Sequence, residues 1–99
     1  MTRTQYQILE AEAIRDRANN CCEVCGKHIS SGERAHIIGN TKPNLNRFGW
    51  QFLDSRYNLK YTCLTALGNQ CNSKADLGRF EGKIEEHVKL VYENLGEKF

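Results

Sequence analysis

Cysteines are the side chains with the most evident chemistry in this sequence of 99 residues. Cys22 and Cys25 are separated by two residues, and Cys63 and Cys71 follow later in the chain. With Cys21 they make five, and an odd number without an N-terminal apolar signal segment argues against a secreted disulfide framework. Four thiolates that include a Cys-x2-Cys pair are typical of a structural zinc site. We therefore predict that Cys22, Cys25, Cys63 and Cys71 bind Zn²⁺, which stabilises the fold and has no open position for chemistry.

Two features of this cysteine set leave alternatives. Cys21 could replace Cys22, although the spacing of two residues before Cys25 is the commoner one. Seven residues separate Cys63 from Cys71, which fits if Cys63 ends a strand, Cys71 lies in the first turn of a helix and residues 64–70 loop out. Buried cysteines that bind no metal are the alternative to a zinc site.

Three further polar residues have a defined order relative to the cysteines: two lie between Cys25 and Cys63, and one follows Cys71. His36 lies in a strand-like segment, Asn58 begins a second such segment, and Asn72 directly follows Cys71. Histidine titrates near neutral pH and can therefore act as a general base, provided that its other ring nitrogen is fixed by a hydrogen bond to a carbonyl. An amide oxygen is a ligand that Mg²⁺ and Mn²⁺ accept.

This order resembles the HNH endonuclease family, in which a zinc knuckle precedes a histidine strand, an Asn-Leu strand and a helix that begins with Cys-His or Cys-Asn. The resemblance covers about residues 22–78. It implies a divalent-metal-dependent DNA endonuclease that hydrolyses phosphodiester bonds, nicking one strand per active site. It also implies that His36 is the general base, that Asn58 ties the connecting loop to the strands, and that Asn72 binds catalytic Mg²⁺ or Mn²⁺.

Ala35 departs from the family pattern, which usually places a metal-binding aspartate or histidine before the catalytic histidine. Asp76 is the candidate replacement, because a residue four positions after Asn72 lies on the same helix face. Glu33 is a weaker alternative, and His36 itself could bind the metal, which would leave the base unassigned. Asn72 could also serve only as a helix cap.

Basic residues near the expected phosphate site are candidates for nucleic-acid binding, because they would neutralise backbone charge. They are Lys42, Arg47, Arg56 and Lys74. The net charge of +2 permits such binding without requiring it. We expect double-stranded DNA rather than RNA as the partner, and no membrane association because no apolar run is long enough. The sequence also allows a homodimer. By analogy with the family, we expect a cytoplasmic protein of bacterial or phage origin.

The elements that must position these residues can be outlined from the sequence. Thr4 and Gln7 fit a capping box, and the helix that they start would continue to Arg17 and end at Asn19 and Asn20. Tyr6, Leu9 and Ala13 lie on one face of this helix. Two strands are expected at residues 35–38 and 58–63, and the long segment 39–57 between them is expected to be functional.

Two helices are expected in the last third of the chain. One would cover residues 71–77. The other is amphipathic, with apolar residues three or four positions apart, and would stop at Gly96; these residues are Phe80, Ile84, Val88, Val91 and Leu95. His28 and His87 are expected at the surface. The predicted fold is therefore α+β, a single domain of residues 1–99 with a zinc-stapled ββα-metal, treble-clef-like centre and flanking N- and C-terminal helices.

Two functions from other classes also fit these residues. The first is a non-catalytic zinc module that binds nucleic acid or protein, with Ala35 marking the loss of the catalytic metal. It predicts binding without cleavage. The second is an interaction or structural protein whose only cofactor is zinc, which predicts no salt-dependent affinity for DNA.

Overall fold

A two-stranded antiparallel sheet lies at the centre of the fold in a computed structural model that describes residues 1–68, 70–75 and 84–96. Strand β1 (Glu33–His36) pairs with strand β2 (Leu59–Thr62). Both strands were predicted, but β1 begins and ends two residues earlier than expected. The amide of Ile37 still bonds to the carbonyl of Asn58 in the same register. The ladder goes no further because the amide of Asn58 bonds to Ser55, and the amide of Ile38 bonds to the Asn58 side chain.

Helix α1 (Arg3–Ala18) begins with a capping box that Thr2 forms with Gln5, so the prediction that Thr4 and Gln7 form it was wrong. Both pairs have the required spacing. The Gln7 side-chain amide donates to Asp54 instead, at 3.1 Å. The predicted end is confirmed, since Asn19 caps the helix in the left-handed conformation.

The buried face of α1 is Glu10, Ile14 and Ala18. It is offset by one residue from the apolar face that Leu9 and Ala13 suggested, and Leu9 is exposed. Ile14 and Ala18 join a core cluster with Leu59 and Tyr61 of the hairpin. Glu10 is buried beside them because Arg56 neutralises it, at 2.7 Å. The ion pair therefore lets a charged residue occupy the helix face that packs inward.

The segment between the strands forms two short helices, α2 (Lys42–Phe48) and α3 (Trp50–Leu53). Gly49 separates them with a φ of 84°, which is costly for any residue with a Cβ. No side chain of α2 is buried, whereas Phe52 and Leu53 of α3 are. The second helix thus provides the buried residues of the segment, while partly buried Leu45 and Phe48 of the first helix pack against the same core.

Helix α5 (Ile84–Asn94) packs on this segment. Val88 and Val91 are buried against Ile38, Phe52 and Leu53, which confirms the predicted apolar stripe from residue 84 onward. Gly96 has a φ of 74° just past the helix end, as a helix-stop glycine does. Phe80, the first predicted residue of the stripe, lies outside the described residues.

The chain between the third and fourth cysteines of the predicted set contains a 3₁₀ turn, Thr65–Leu67, and leads to helix α4 (Cys71–Lys74). Residues 76 and 77 of the expected helix lie outside the described residues. Helix α4 packs on β1 and β2, and α1 packs on β2. The result is an α+β fold with a hairpin between helices, as predicted. Among the described residues, none of the helices has the length and apolar character needed to cross a membrane.

Gly32 precedes β1 at a point where the chain is closely packed. A Cβ placed on it would lie 2.6 Å from the carbonyl oxygen of Thr62 and 2.7 Å from the ring of Tyr61. Both neighbours belong to β2, so the turn into the hairpin needs a residue without a side chain.

Candidate metal centre and active site

Four cysteines from three parts of the chain converge at one end of the hairpin. Cys22 and Cys25 lie in the turn after α1, Cys63 directly follows β2, and Cys71 is the first residue of α4. Their sulfur atoms all lie within 4.8 Å of one another, and those of Cys25 and Cys63 are 3.7 Å apart. A tetrahedral zinc ion with Zn–S bonds near 2.3 Å separates its sulfurs by about 3.8 Å. The geometry therefore fits a four-thiolate zinc site.

The turn around Cys22 is built to hold a thiolate. The amide groups of Val24 and Cys25 both donate to its sulfur, at 3.4 Å. Gly26 closes the turn by donating to the Cys22 carbonyl, with a φ of 79°. Burial raises the pKa of the Cys22 thiol, but the amide donors outweigh burial and lower it to about 6. Metal ligation needs the deprotonated form, which this turn favours.

Cys21 lies outside this set. It forms an isolated antiparallel bridge with His28, and the residue that joins the sulfur cluster is Cys22. Within the described residues, the four-cysteine set is the group of His, Cys, Asp and Glu side chains close enough together to hold an ion. The predicted choice of Cys22 over Cys21 agrees with this geometry, as does the position of Cys71 at the start of a helix.

His36 ends β1 with its ring Nε2 atom 3.2 Å from Oδ1 of Asp54. The other oxygen of Asp54 accepts from Arg3 at 2.6 Å and from Gln7 at 3.1 Å. Burial raises the pKa of the Asp54 carboxyl, but hydrogen bonds from Arg3 and His36 outweigh burial and leave the pKa below its ordinary value. The partner of His36 is therefore an ionised carboxylate rather than the carbonyl expected from sequence.

The imidazole of His36 remains accessible, with 28% of its side chain exposed, whereas Asp54 is 2% exposed. An ionised Asp54 can only accept, so a neutral His36 carries its proton on Nε2 and presents Nδ1 as a hydrogen-bond acceptor. Asp54 was not recognised from sequence. The signal was weak, namely one acidic residue in a segment otherwise rich in basic and aromatic residues.

Asn58 is fully buried, and its amide ties together the segment between the strands. Nδ2 donates to the carbonyls of Ile38 at 3.1 Å and Leu53 at 2.9 Å. Oδ1 accepts from the amide of Ile38 at 3.0 Å. These are side-chain-to-backbone bonds of the kind that the family resemblance implies for this residue.

Asn72 and Glu33 lie together where α4 packs on β1. The hydroxyl and amide of Thr65 donate to Glu33, the amide at 2.7 Å. The Thr65 hydroxyl is the largest cause of a lowered pKa for the Glu33 carboxyl, and a hydrogen bond from the Asn72 side chain contributes. Asn72 must donate through Nδ2 to a carboxylate, so this bond does not use its oxygen. Asp76, the predicted second ligand, lies outside the described residues.

The two faces of β1 divide the candidate residues. Strand alternation places Glu33 and Ala35 on the side of α4, and Arg34 and His36 on the side of α1. Arg34 bonds to the carbonyl of Gln7 in α1, at 3.1 Å. Ala35 is 1% exposed, so its position offers no room for a ligand. The structure thus brings Asn72 to Glu33, and His36 to Asp54.

The four predicted phosphate-binding residues differ in their surroundings. Lys42, Arg47 and Lys74 are exposed. The guanidinium of Arg47 lies 4.8 Å from the centroid of the Phe48 ring. Arg56 is ion-paired with buried Glu10 and holds the loop to α1. Its charge is therefore already balanced within the fold.

Comparisons with protein-family models, curated proteins and solved structures found no match to this chain. The four-cysteine cluster in a small α+β fold is compatible with zinc binding. Any further function must be inferred from the residues themselves.

Proposed function

We propose that this chain is a divalent-metal-dependent DNA endonuclease of the HNH type, with His36 as its general base. The pairing of His36 with Asp54 is the observation that carries this proposal. An imidazole with Nε2 bound to an ionised carboxylate is fixed in orientation and tautomer, and its Nδ1 is free to accept a proton. The partial exposure of the ring lets water and substrate reach it.

In this mechanism, Nδ1 of His36 takes a proton from water as the water oxygen attacks phosphorus. The bond to the 3′ oxygen breaks, and that oxygen leaves with the negative charge. A divalent Mg²⁺ or Mn²⁺ ion would neutralise this charge. The family resemblance implies Asn72 and Asp76 as its ligands, whereas the described contact of Asn72 lies on the face of β1 opposite His36. Asn58 supports this site through its hydrogen bonds to the backbone carbonyls of Ile38 and Leu53. One such site nicks one strand, and a homodimer would be needed to cut both.

The zinc site has a separate, structural role in this proposal. Its four thiolates fill a tetrahedral coordination shell, so no position is left for water or substrate. By joining the turn after α1, the end of β2 and the start of α4, zinc would fix α4 against β1. Asn72 would then be held in place by its neighbour Cys71.

A second candidate, the non-catalytic zinc module that binds nucleic acid, is favoured by a specific observation. Ala35 is buried where the family has a metal ligand, and Asn72 contacts Glu33 on the face of β1 opposite His36. In this alternative, the pairing of His36 with Asp54 is structural, and exposed lysines and arginines bind phosphates. The candidate predicts DNA binding that needs no Mg²⁺ or Mn²⁺ and leads to no cleavage.

Nicking of supercoiled plasmid DNA decides between the two. Zinc-loaded protein is incubated with plasmid in Mg²⁺ or Mn²⁺, beside His36→Ala and, as a matched control, His28→Ala at an exposed histidine. We expect nicking by the wild type and the control, and a loss of about a hundredfold or more in His36→Ala. DNA binding with no nicking in either metal would contradict the nuclease proposal and support the module.

A further inference from the structure

His87 of α5 contacts the centre of the fold, although the sequence suggested a surface position. Its Nε2 atom lies 2.9 Å from Oδ1 of the buried Asn58, and the histidine itself is half-buried. Burial is the first cause that lowers the pKa of the His87 imidazole, and the nearby charge of Lys60 adds to it. This contact joins the last described helix to the segment between the two strands.

The hydrogen bonds of Asn58 fix the direction of this contact. Both hydrogens of its Nδ2 are used, by the carbonyls of Ile38 and Leu53. Its orientation is therefore set, and Oδ1 faces both the amide of Ile38 and His87. An amide oxygen only accepts, so His87 must donate through a protonated Nε2.

The residues that Asn58 holds lie beside the candidate catalytic pair. Ile38 is two positions after His36, and Leu53 directly precedes Asp54. The amide of Asn58 therefore joins the backbone that carries the base to the backbone that carries its carboxylate partner. A shift of Asn58 would change the distance between His36 and Asp54.

We propose that His87 is a positioning residue, which fixes the relative placement of His36 and Asp54 through Asn58. The catalytic consequence rests on the proposed nuclease function, whereas the coupling between His87 and Asn58 does not. Packing alone does not require the histidine, because Val88 and Val91 already bury the apolar side of α5. The hydrogen-bond donor is what residue 87 adds.

Two substitutions separate the donor from the packing. His87→Leu keeps an apolar body of similar size but has no donor, and His87→Gln keeps a side-chain N–H and favours a helix. Lys89→Ala, at an exposed position of the same helix, is the matched control. Zinc content, circular dichroism and thermal unfolding show which variants are folded before any comparison is made.

Hydrogen exchange tests the coupling without any cleavage assay. In His87→Leu, we expect the amide of Ile38 to exchange roughly fivefold faster, the change that the loss of one hydrogen bond produces. The amide of Tyr61, which bonds to Glu23, should not change. His87→Gln and Lys89→Ala should match the wild type. Unchanged exchange of Ile38 in a folded His87→Leu would overturn the proposal.

A measurement on the wild type keeps the proposal testable if the leucine variant does not fold. The ¹⁵N-correlated imidazole spectrum should show His87 with its proton on Nε2, protected from exchange with water. A proton on Nδ1 instead, or an Nε2 proton that exchanges freely, would overturn the proposal.

The nicking assay tests the catalytic consequence. We expect His87→Leu to nick plasmid about fivefold more slowly at saturating Mg²⁺ or Mn²⁺, and His87→Gln to recover the wild-type rate. Equal rates in wild type and folded His87→Leu would overturn the catalytic part. If the wild type itself does not nick, the proposed function fails, and the exchange data still decide whether His87 positions Asn58.

Discussion

Asp54 combines burial with several donors around one carboxylate. Arg3 neutralises its charge, Gln7 adds an amide donor, and His36 adds an imidazole. A buried carboxylate is stable only when it is paired and hydrogen-bonded in this way. The same contacts that stabilise Asp54 also orient His36, so stability and proposed catalysis depend on one side chain.

Replacing Asp54 with asparagine should therefore affect both properties. Asp54→Asn keeps the size but removes the charge, which leaves Arg3 without a counter-ion and no longer fixes the tautomer of His36. We expect nicking to fall about tenfold to a hundredfold, and the free energy of unfolding to fall by about 1–3 kcal/mol. Plasmid nicking and urea unfolding measure these effects. Wild-type nicking by the variant would show that Asp54 has no part in the reaction.

The lowered pKa of Asp54 predicts how its contribution depends on pH. Its folded-state pKa lies below the unfolded value of about 3.9, so the stabilisation is complete above that value and is lost as pH falls through the folded pKa. The stability difference between wild type and Asp54→Asn should thus shrink as pH falls below about 4. Urea midpoints of the two proteins across pH measure it. A difference that does not shrink below about pH 4 would contradict the assignment.

Single residues differed in how well the sequence revealed them. The cysteine cluster follows from the spacing and number of the cysteines, and the side-chain-to-backbone bonds of Asn58 were implied by the family resemblance. Asp54 and His87 had no such signal, because they act across 18 and 29 positions of sequence, respectively, on partners brought near by folding. Polar pairs that are distant in sequence produce no regular spacing of residues from which they could be predicted.

At the scale of elements, the four-cysteine cluster joins pieces that are too short to be stable alone. Helix α4 has 4 residues, and each strand has 4. Isolated helices and hairpins of this size do not persist in water. Metal binding would therefore supply much of the free energy that orders this end of the molecule.

Serine substitutions at two neighbouring cysteines test this role. Cys22→Ser should reduce bound zinc below one equivalent and lower the melting temperature by about ten degrees or more, on the order expected for loss of a structural metal in a small domain. Cys21→Ser should retain zinc and stability. Zinc content, thermal unfolding and the thiolate-to-metal absorption of the Co²⁺-substituted protein measure the difference. Equal zinc loss in both variants would contradict the assigned register.

The elements show where local rules are ambiguous. Thr2 and Thr4 both have the spacing of a capping box, but only Thr2 forms one. The inward face of α1 includes Glu10, which no hydrophobic pattern would select. By contrast, α5 was recognised from its apolar spacing because its fully buried residues are valines.

At the scale of the whole molecule, the apolar interior of the described residues is divided into three clusters. One surrounds Phe52 under α5, a second surrounds Ile14 under α1, and the third is formed by buried cysteines. The α+β class and the cysteine cluster could be predicted, because composition and spacing encode them. The division of the interior into separate clusters could not be predicted, since it depends on α2 and α3, the helices that form between the two strands.

Exposed basic residues on α2 predict a salt-dependent affinity for DNA. Lys42→Ala and Arg47→Ala should each weaken binding several-fold and reduce the slope of log K against log salt by about 0.9 for each phosphate that is no longer neutralised. Lys27→Ala, an exposed lysine of the zinc turn, should leave both unchanged. Fluorescence anisotropy with a labelled duplex, at several salt concentrations and without Mg²⁺, measures the slopes. Equal slopes in all variants would show that the protein binds phosphates through other residues.

The close packing at Gly32 limits how this sequence can drift during evolution. Even alanine would place a carbon 2.6 Å from a backbone oxygen of the paired strand, which cannot retreat without breaking the hairpin. Gly26 has open space beside it, so a side chain there would be opposed by its φ of 79° and not by a steric clash. Homologues that keep this hairpin should therefore remain invariant at position 32, whatever chemistry they carry out.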